Sequence, residues 1–357
     1  MNEVISKTFA LLRFPLMVGV VMIHCDISDQ LNPESQTQWA KDVMYFFSNV
    51  IGRFSVPMFF LISGYLFFRS GVLDKRVYIS KLRSRLHTLL LPYLLWNLIA
   101  FLYFVIKHYP PLCYVFQGIT EIEVSFANFL KSFWEFSFEG LGESKSMPID
   151  FPLWYVRDLM IIVLLAPLLY KLIKAGIFAV IVLGIAWLVF DIEILGLEIS
   201  GFFFFTLGGY LAINKVDMFK GFASKQIVIL VLLLTTIVVA IDMITRGTFY
   251  HYFIHNISVL MGVATVCIST VCIIKLGKQI RWIDKLAPTT FFVYAMHGLF
   301  VATLRKGLCL VFCPATNIGI IGVYTVSIIL TIIVCLISYY TLKRCCPRVC
   351  LVLNGGR

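Results

Sequence analysis

The sequence predicts an all-α, polytopic membrane protein with about ten transmembrane helices and both termini in the cytoplasm. Hydrophobic residues make up 60% of the 357 positions, whereas charged residues make up only 14%. Soluble globular domains are much less apolar than this, so lipid must be the solvent for most of the chain. Apolar stretches long enough to cross a hydrocarbon core of roughly 30 Å recur along the whole sequence, and short polar connections separate them.

The predicted spans follow one another without a soluble domain between them. We place them near residues 8–25, 43–68, 88–106, 153–170, 176–192, 199–213, 226–244, 252–274, 288–304 and 317–341. The chain is therefore divided into a transmembrane domain, residues 1–345, and a short basic cytoplasmic tail, residues 346–357. The one long connection, residues 107–150, is predicted to form an amphipathic interfacial helix or a lid.

Basic residues determine the predicted orientation. Twenty of the 30 Lys and Arg residues lie on one set of alternate connections, seven lie on the other set, and three lie inside spans. Cytoplasmic loops carry the excess of Lys and Arg, so both termini are predicted to be cytoplasmic. The net charge of +11 then reflects topology and contact with anionic lipid headgroups, and no nucleic-acid partner is expected.

The first span carries two ionisable residues, Arg13 and His24. Such residues are costly in lipid and mark functional sites. They are eleven positions apart, and at about 100° and 1.5 Å per residue they share one helix face and lie about 16 Å apart along the axis. We expect both to line one cavity, with Arg13 toward the cytoplasm and His24 close to the outer end of the helix.

Three other spans direct polar side chains toward the outer half of the membrane. Consecutive helix residues point about 100° apart, so Arg157 and Asp158 are expected to find partners on other helices rather than on each other. One polar chamber would accommodate the whole set together with His24. Its predicted members are Arg53 on the second span, Arg157 and Asp158 on the fourth, and His297 on the ninth.

The second span contains a proline and a small-residue pair. Pro57 has no backbone donor and clashes with the preceding turn, so we predict a kink or break there. Ser63 and Gly64 lie nearer the middle of the span. Small residues at such positions allow neighbouring helices to approach closely, and we predict that role for them.

Two histidines have the spacing of metal ligands on a helix. His251 and His255 are four residues apart at the outer start of the eighth span, yet no Cys, Asp or Glu stands close by in the sequence to complete a site. Cysteines within the spans are small apolar residues and indicate no site either. We therefore predict no metal.

These residues resemble those of the acyltransferase-3 superfamily, membrane proteins that O-acylate glycans and other acceptors. The Arg-x10-His pattern of that family appears as Arg13 and His24, followed by Asp26. The resemblance extends over most of the chain and includes the ten-helix plan. Four further segments carry it: VPMFFLISGYLFF (56–68), RLHTLLLPYLLW (85–96), PLWYVRDLMIIVLLAPLL (152–169) and FFVYAMHGL (291–299).

The resemblance implies an acyl-CoA donor, commonly acetyl-CoA, and a hydroxyl of a surface polysaccharide or a lipid-linked glycan as the acceptor. His24 would be the catalytic group, either as a general base or as a transient acyl carrier. Asp26 would orient it, provided that the helix ends near Cys25. Arg13 and Arg85 are the predicted ligands of the CoA phosphates. The predicted acceptor site comprises Arg53, Trp154, Arg157, Asp158 and His297.

The alternative function is a secondary transporter or an exporter of a lipid-linked sugar. Transporters often carry inverted repeats with broken helices in matching positions, and the break predicted near Pro57 has no counterpart in the later half of the sequence. The enzyme is therefore favoured. It is predicted to lie in the plasma membrane as a multi-pass protein without a tightly bound cofactor, and the sequence is compatible with a homo-oligomer.

Overall fold

The structure is a computed structural model, and it describes residues 3–31, 37–108, 124–135, 147–194, 196–216, 224–275 and 281–356. Most of the long connection predicted to form an amphipathic helix or a lid lies outside these residues, although a short helix, α6, is described within it. The helices are α1 (Glu3–His24), α2 (Gln38–Tyr45), α3 (Ser55–Phe68), α4 (Lys75–Arg85), α5 (Leu91–His108), α6 (Phe126–Lys131), α7 (Trp154–Leu164), α8 (Ala166–Lys174), α9 (Phe178–Val189), α10 (Ile199–Ile213), α11 (Lys225–Thr245), α12 (His251–Lys275), α13 (Arg281–Leu286), α14 (Thr290–Phe312), α15 (Asn317–Cys345) and α16 (Pro347–Leu353).

The described residues confirm an all-α, polytopic membrane protein. Seven helical segments are long and apolar enough to cross a membrane, and an eighth is obtained if α8 and α9, which meet at a bend of 115°, count as one span. The predicted spans 153–170, 176–192 and 199–213 fall on the shorter helices α7 to α10. The number of ten spans and the cytoplasmic termini stay predictions. The β structure in the described residues is a two-stranded hairpin, β1 (Glu193–Ile194) and β2 (Leu197–Glu198).

Helix α1 lies at the centre of the bundle. It packs against α3, α12, α14 and α15, and also against the irregular segment 46–54. Its apolar residues face these neighbours, whereas Lys7 and Arg13 are exposed. Met17 and Val21, one turn apart, are fully buried. His24, the last residue of this central helix, therefore lies among the surrounding helices.

The second predicted span is irregular before Pro57 rather than at it. A π-helical stretch, Phe46–Ile51, and a 3-10 turn, Gly52–Phe54, precede the regular helix α3. Pro57 is the third residue of α3, where a proline is tolerated. Because Pro57 has no N–H, the carbonyl four residues earlier, at Arg53, lacks its helical partner. The proline thus accounts for the irregular turn on which Arg53 lies.

Helices α3 and α10 touch through their backbones. A Cβ atom placed on Gly64 would lie 2.7 Å from the carbonyl carbon of Phe205, and one placed on Gly208 would lie 2.9 Å from the backbone nitrogen of Tyr65. Side chains larger than hydrogen do not fit at either position. The predicted role of Gly64 in close helix packing is confirmed.

Replacing Gly64 with alanine is expected to lower the free energy of unfolding by about 1–3 kcal/mol, because the added methyl group must push α10 away. Thermal unfolding of the purified protein in detergent measures the loss. Gly322→Ala is the matched control, since its Cβ would meet nothing within 4 Å. Equal midpoints for the Gly64 variant and the parent would contradict the backbone contact.

Candidate active site

Two histidines from two helices face each other inside the bundle. The ring of His24 at the end of α1 lies 5.5 Å from the ring of His297 on α14, measured between centroids. Phe151 packs edge-on against His24, with the centroids 4.7 Å apart. The structure therefore brings the predicted catalytic residue and one predicted acceptor-site residue into direct contact.

The free nitrogen of His297 follows from its hydrogen bonds. Its Nδ1 lies 3.3 Å from the carbonyl oxygen of Val293. A carbonyl oxygen only accepts, so Nδ1 carries the proton and Nε2 offers a lone pair. Within the described part of the chain this buried Nε2 has no hydrogen-bond partner. A fully buried acceptor beside His24 is suited to receiving a proton from a hydroxyl or to holding one in place.

His297 lies in the first half of α14, and the helix continues beyond it. His297 is the eighth of the 23 residues of α14. Seven residue steps correspond to about 10 Å of helix. The remaining part of α14, which ends at Phe312, extends well beyond the pair, as does the segment that follows His24. His297 is therefore fully buried within the bundle, whereas His24 is partly exposed.

Two arginines lie within electrostatic reach of His24. They are Arg53, which the sequence predicted, and Arg305 on α14, which it did not. Arg305 donates to the backbone carbonyl of Asp26 and, at 2.9 Å, to Oδ2 of Asp29. It thus holds the segment that follows His24. Arg305 was not predicted as a site residue, because the ninth span was predicted to end at residue 304. Helix α14 in fact continues to Phe312.

Helix α1 ends at His24, as the predicted role of Asp26 requires. The Asp26 carboxylate, however, accepts hydrogen bonds from the backbone N–H and the hydroxyl of Ser28, at 2.8 and 2.6 Å. The hydrogen bonds described for Asp26 include none to His24. In this structure Asp26 shapes the turn after His24, and its predicted orienting role stays a prediction.

Arg157 and Asp158 pair with each other, so the expectation that they would find separate partners was wrong. Nε of Arg157 donates to Oδ1 of Asp158 at 2.9 Å, and both residues are buried. The long, flexible side chain of Arg157 spans the 100° between the two Cα–Cβ directions and reaches the short side chain of Asp158. The pair also fixes loops, because Arg157 donates to the carbonyl oxygens of Trp134 and Gly196.

The other predicted residues are spread along the bundle. Trp154 is half-buried at the start of α7, with its ring 6.5 Å from that of Phe60. Arg13 is exposed on α1, and Arg85 lies at the opposite end of the bundle from His24. Neither arginine belongs to the histidine chamber.

Asp150 is a buried carboxyl group that was not predicted from the sequence. Asp150 lies against Gly298, the residue after His297, since a Cβ on that glycine would be 2.6 Å from its Oδ1. Both carboxyl oxygens lack a hydrogen-bond partner among the described residues. Burial raises the pKa of this carboxyl well above its ordinary value and favours the neutral form. The sequence feature that could have indicated Asp150 is its position immediately before an apolar segment.

A cavity of about 270 Å³ opens at the Arg85 end of the bundle. Lys81, Arg85 and Thr88 contribute polar side chains to its lining, and no acidic group among the described residues pairs with either cation. The hydroxyl of Thr88 is buried without a hydrogen-bond partner within the same residues. Such a cationic, partly enclosed opening is suited to an anion.

The end of the chain closes one wall of this cavity. Gly355 has φ +69°, and a Cβ there would lie 2.6 Å from the backbone oxygen of Thr88. The buried Asn354 fixes this segment: its Oδ1 accepts from the backbone N–H of Phe292 at 3.1 Å, and its Nδ2 donates to the oxygen of Pro288 at 2.8 Å. The predicted tail therefore packs against α14 over its described part.

The sequence matches a family model and a known protein. The acyltransferase-3 family model, described as an acyltransferase domain, matches residues 8–340. A similar protein, the succinoglycan biosynthesis protein ExoH of Rhizobium meliloti (strain 1021), is 24% identical over 371 residues, which cover 100% of this chain and 94% of that protein. No solved structure matches significantly. The chain belongs to the acyltransferase-3 family and is a multi-pass membrane acyltransferase.

Proposed function

We propose that this protein transfers an acyl group, typically acetyl, from cytoplasmic acyl-CoA to a hydroxyl of a surface polysaccharide or a lipid-linked glycan at the plasma membrane. The observation that carries the proposal is the contact of His24 with the fully buried His297, whose Nε2 has no hydrogen-bond partner among the described residues. The name of the similar protein, which refers to succinoglycan biosynthesis, supports a glycan acceptor.

In the direct route, His24 acts as the general base. Its neutral imidazole takes the proton from the acceptor hydroxyl while the oxygen attacks the thioester carbonyl. The carbon–sulfur bond then breaks, and the CoA thiolate receives the proton from the imidazolium. Arg53 and Arg305, which lie within electrostatic reach of His24, would favour the developing oxyanion.

In the second route, His24 carries the acyl group. A ring nitrogen attacks the thioester and displaces the CoA thiolate, and the acceptor hydroxyl then attacks the acyl-imidazole and regenerates His24. His297 would accept the proton of the hydroxyl through its free Nε2. Both routes use the same pair of rings, and they differ in whether a covalent enzyme intermediate exists.

The cationic cavity supplies a place for the donor's phosphates. Arg85 and Lys81 line it without acidic partners among the described residues, and guanidinium groups bind phosphate well. Phe292, which Asn354 contacts beside the cavity, precedes His297 by five residues, or about 8 Å of helix. The arm of an acyl-CoA held at the cavity would then point its thioester toward the histidine pair. Arg13 would contribute from the exposed face of α1.

Replacing Arg85 with alanine is expected to raise KM for acetyl-CoA about 10–100-fold with little change in kcat, because a charge-assisted hydrogen bond to phosphate is worth about 1.5–3 kcal/mol. Purified protein in lipid nanodiscs, with labelled acetyl-CoA and glycan acceptors, provides the assay. Arg83→Ala is the matched control, since Arg83 is exposed on the same helix and does not line the cavity.

Two results of this assay would count against the proposal. Equal KM values for the Arg85 and Arg83 variants would show that the donor does not bind in the cavity. Absence of CoA release and of label transfer by the folded parent, with every glycan acceptor supplied, would contradict the acyl transfer to glycans itself.

A further inference from the structure

Three metal-ligand side chains meet where α11 ends and α12 begins. His251 and His255 lie one turn apart on α12, and the fully buried Asp242 faces them from α11. Nδ1 of His255 lies 3.1 Å from Oδ2 of Asp242, and Nδ1 of His251 lies 3.5 Å from Oδ1. Asp242, on the preceding helix, supplies the carboxylate that does not stand close to the two histidines in the sequence.

The spacing of these atoms fits one small cation. One ligand atom from each residue lies within 4.8 Å of the other two. Zinc in proteins is tetrahedral with bonds of about 2.0–2.1 Å to His and Asp, which places neighbouring ligand atoms about 3.3 Å apart. From one oxygen of Asp242, Oδ1, the Nδ1 atoms of His255 and His251 lie 3.3 and 3.5 Å away, close to this value.

The hydrogen bonds of His251 leave its inner nitrogen free. Its Nε2 lies 3.1 Å from the hydroxyl of Tyr45, whereas its buried Nδ1 has no hydrogen-bond partner among the described residues. Metal-bound histidines typically use the second ring nitrogen for such a hydrogen bond, which fixes the ring. Tyr45 therefore occupies the position of a supporting residue, with Nδ1 of His251 directed at the carboxylate.

The charge of the surroundings does not oppose a cation. Arg246 is the nearby cationic side chain, and its guanidinium lies 4.5 Å from the centre of the Tyr45 ring. It forms an ion pair with Asp42, which offsets part of the charge that acts on His251. The buried Asp242 carboxylate then supplies a negative charge that a bound cation would balance.

We propose that Asp242, His251 and His255 bind a divalent transition-metal ion, with zinc as the best match. Two imidazoles and one carboxylate are zinc ligands, whereas magnesium and calcium prefer oxygen alone. The ion clips α11 to α12 and, through Tyr45, to α2. The site is separate from the acyl-transfer chemistry, because no contact described for these three residues involves the histidine pair or the cationic cavity.

The test measures zinc bound to the full-length protein after removal of any affinity tag. Purified protein is incubated with Zn²⁺ in detergent and desalted, and its metal content is determined by mass spectrometry. The parent is expected to retain about one ion per chain, the number that a single three-ligand site holds. Asp242→Asn and His255→Gln are expected to lose it. His87→Gln, an exposed histidine at the Arg85 end, serves as the control.

A second variant and a second probe guard against misfolding and against binding by cysteines. Tyr45→Phe keeps the ring and is expected to weaken zinc binding about 10–100-fold, as loss of a supporting hydrogen bond does. Co²⁺ should give weak visible bands without a thiolate charge-transfer band. Zinc that is not retained by the folded parent, or is retained equally by the Asp242 and His255 variants, would overturn the site.

Discussion

Replacing His24 with alanine is expected to lower kcat for acyl transfer by about 10²–10⁴-fold, the usual contribution of a positioned acid–base residue. His24 is the last residue of the central helix, and its ring lies 5.5 Å from that of His297. Loss of the imidazole removes the proton acceptor in the direct route and the nucleophile in the carrier route. KM for acetyl-CoA should change little, because the cationic cavity lies at the other end of the bundle.

The measurement compares label transfer from acetyl-CoA by the parent, by His24→Ala and by His87→Ala, an exposed histidine far from the chamber. Equal thermal midpoints for the three proteins show that the fold is kept. Partial recovery of the His24 variant by added imidazole would identify the missing group as an imidazole, acting as base or as nucleophile. A His24 variant with the same kcat as the parent would show that His24 takes no part in the reaction.

The same material separates the two routes. Parent protein mixed with labelled acetyl-CoA in the absence of acceptor is denatured rapidly and tested for label that stays on the chain. Label that depends on His24 supports the carrier route, because only that route forms an acyl-imidazole. Its absence, together with transfer when acceptor is present, favours the direct route.

Replacing Arg157 with alanine is expected to lower the free energy of unfolding by about 3–5 kcal/mol, because it leaves the buried Asp158 carboxylate without its cation. The two residues are 2% and 1% exposed. Arg157 also donates to the backbone oxygens of Trp134 and Gly196, so these loops lose their attachment to α7. Thermal and denaturant unfolding in detergent measure the effect.

Two comparisons make this result interpretable. Asp29→Asn breaks the pair of Arg305 with Asp29, which is 55% exposed, and such a pair is worth only about 0–1 kcal/mol. Replacing Arg157 and Asp158 together with leucine should recover part of the loss, because no unpaired charge then remains. An Arg157 variant as stable as Asp29→Asn would show that the buried pair does not hold the fold.

The surroundings of His24 could not be predicted from the sequence. Helical periodicity placed Arg13 and His24 on one face, but the path of the chain after His24 depends on the contacts of Arg305 with Asp26 and Asp29. Those contacts join residues about 280 positions apart, and no local pattern encodes them. The position of the chamber inside the bundle follows from packing α1 against α14.

Asp150 and Asp242 show the same limit for single side chains. Asp150 precedes an apolar segment and Asp242 lies near the end of one, and solvated carboxylates are common at the ends of such segments. Their meaning comes from burial: Asp150 lies against Gly298, and Asp242 faces two histidines of the next helix. Burial and partners are properties of the packed bundle.

The sequence by itself determined that the chain is a helical membrane protein, that His24 and His297 lie on spans, and that its motifs resemble those of acyltransferases. These features depend on composition, helical period and local order, which a sequence states directly. Only the tertiary structure decided that the two rings meet, that Arg157 pairs with Asp158, and that Asp242 joins His251 and His255. Each of these depends on side-chain directions and helix contacts, because neighbours in space are set by how helices pack and not by their distance along the chain.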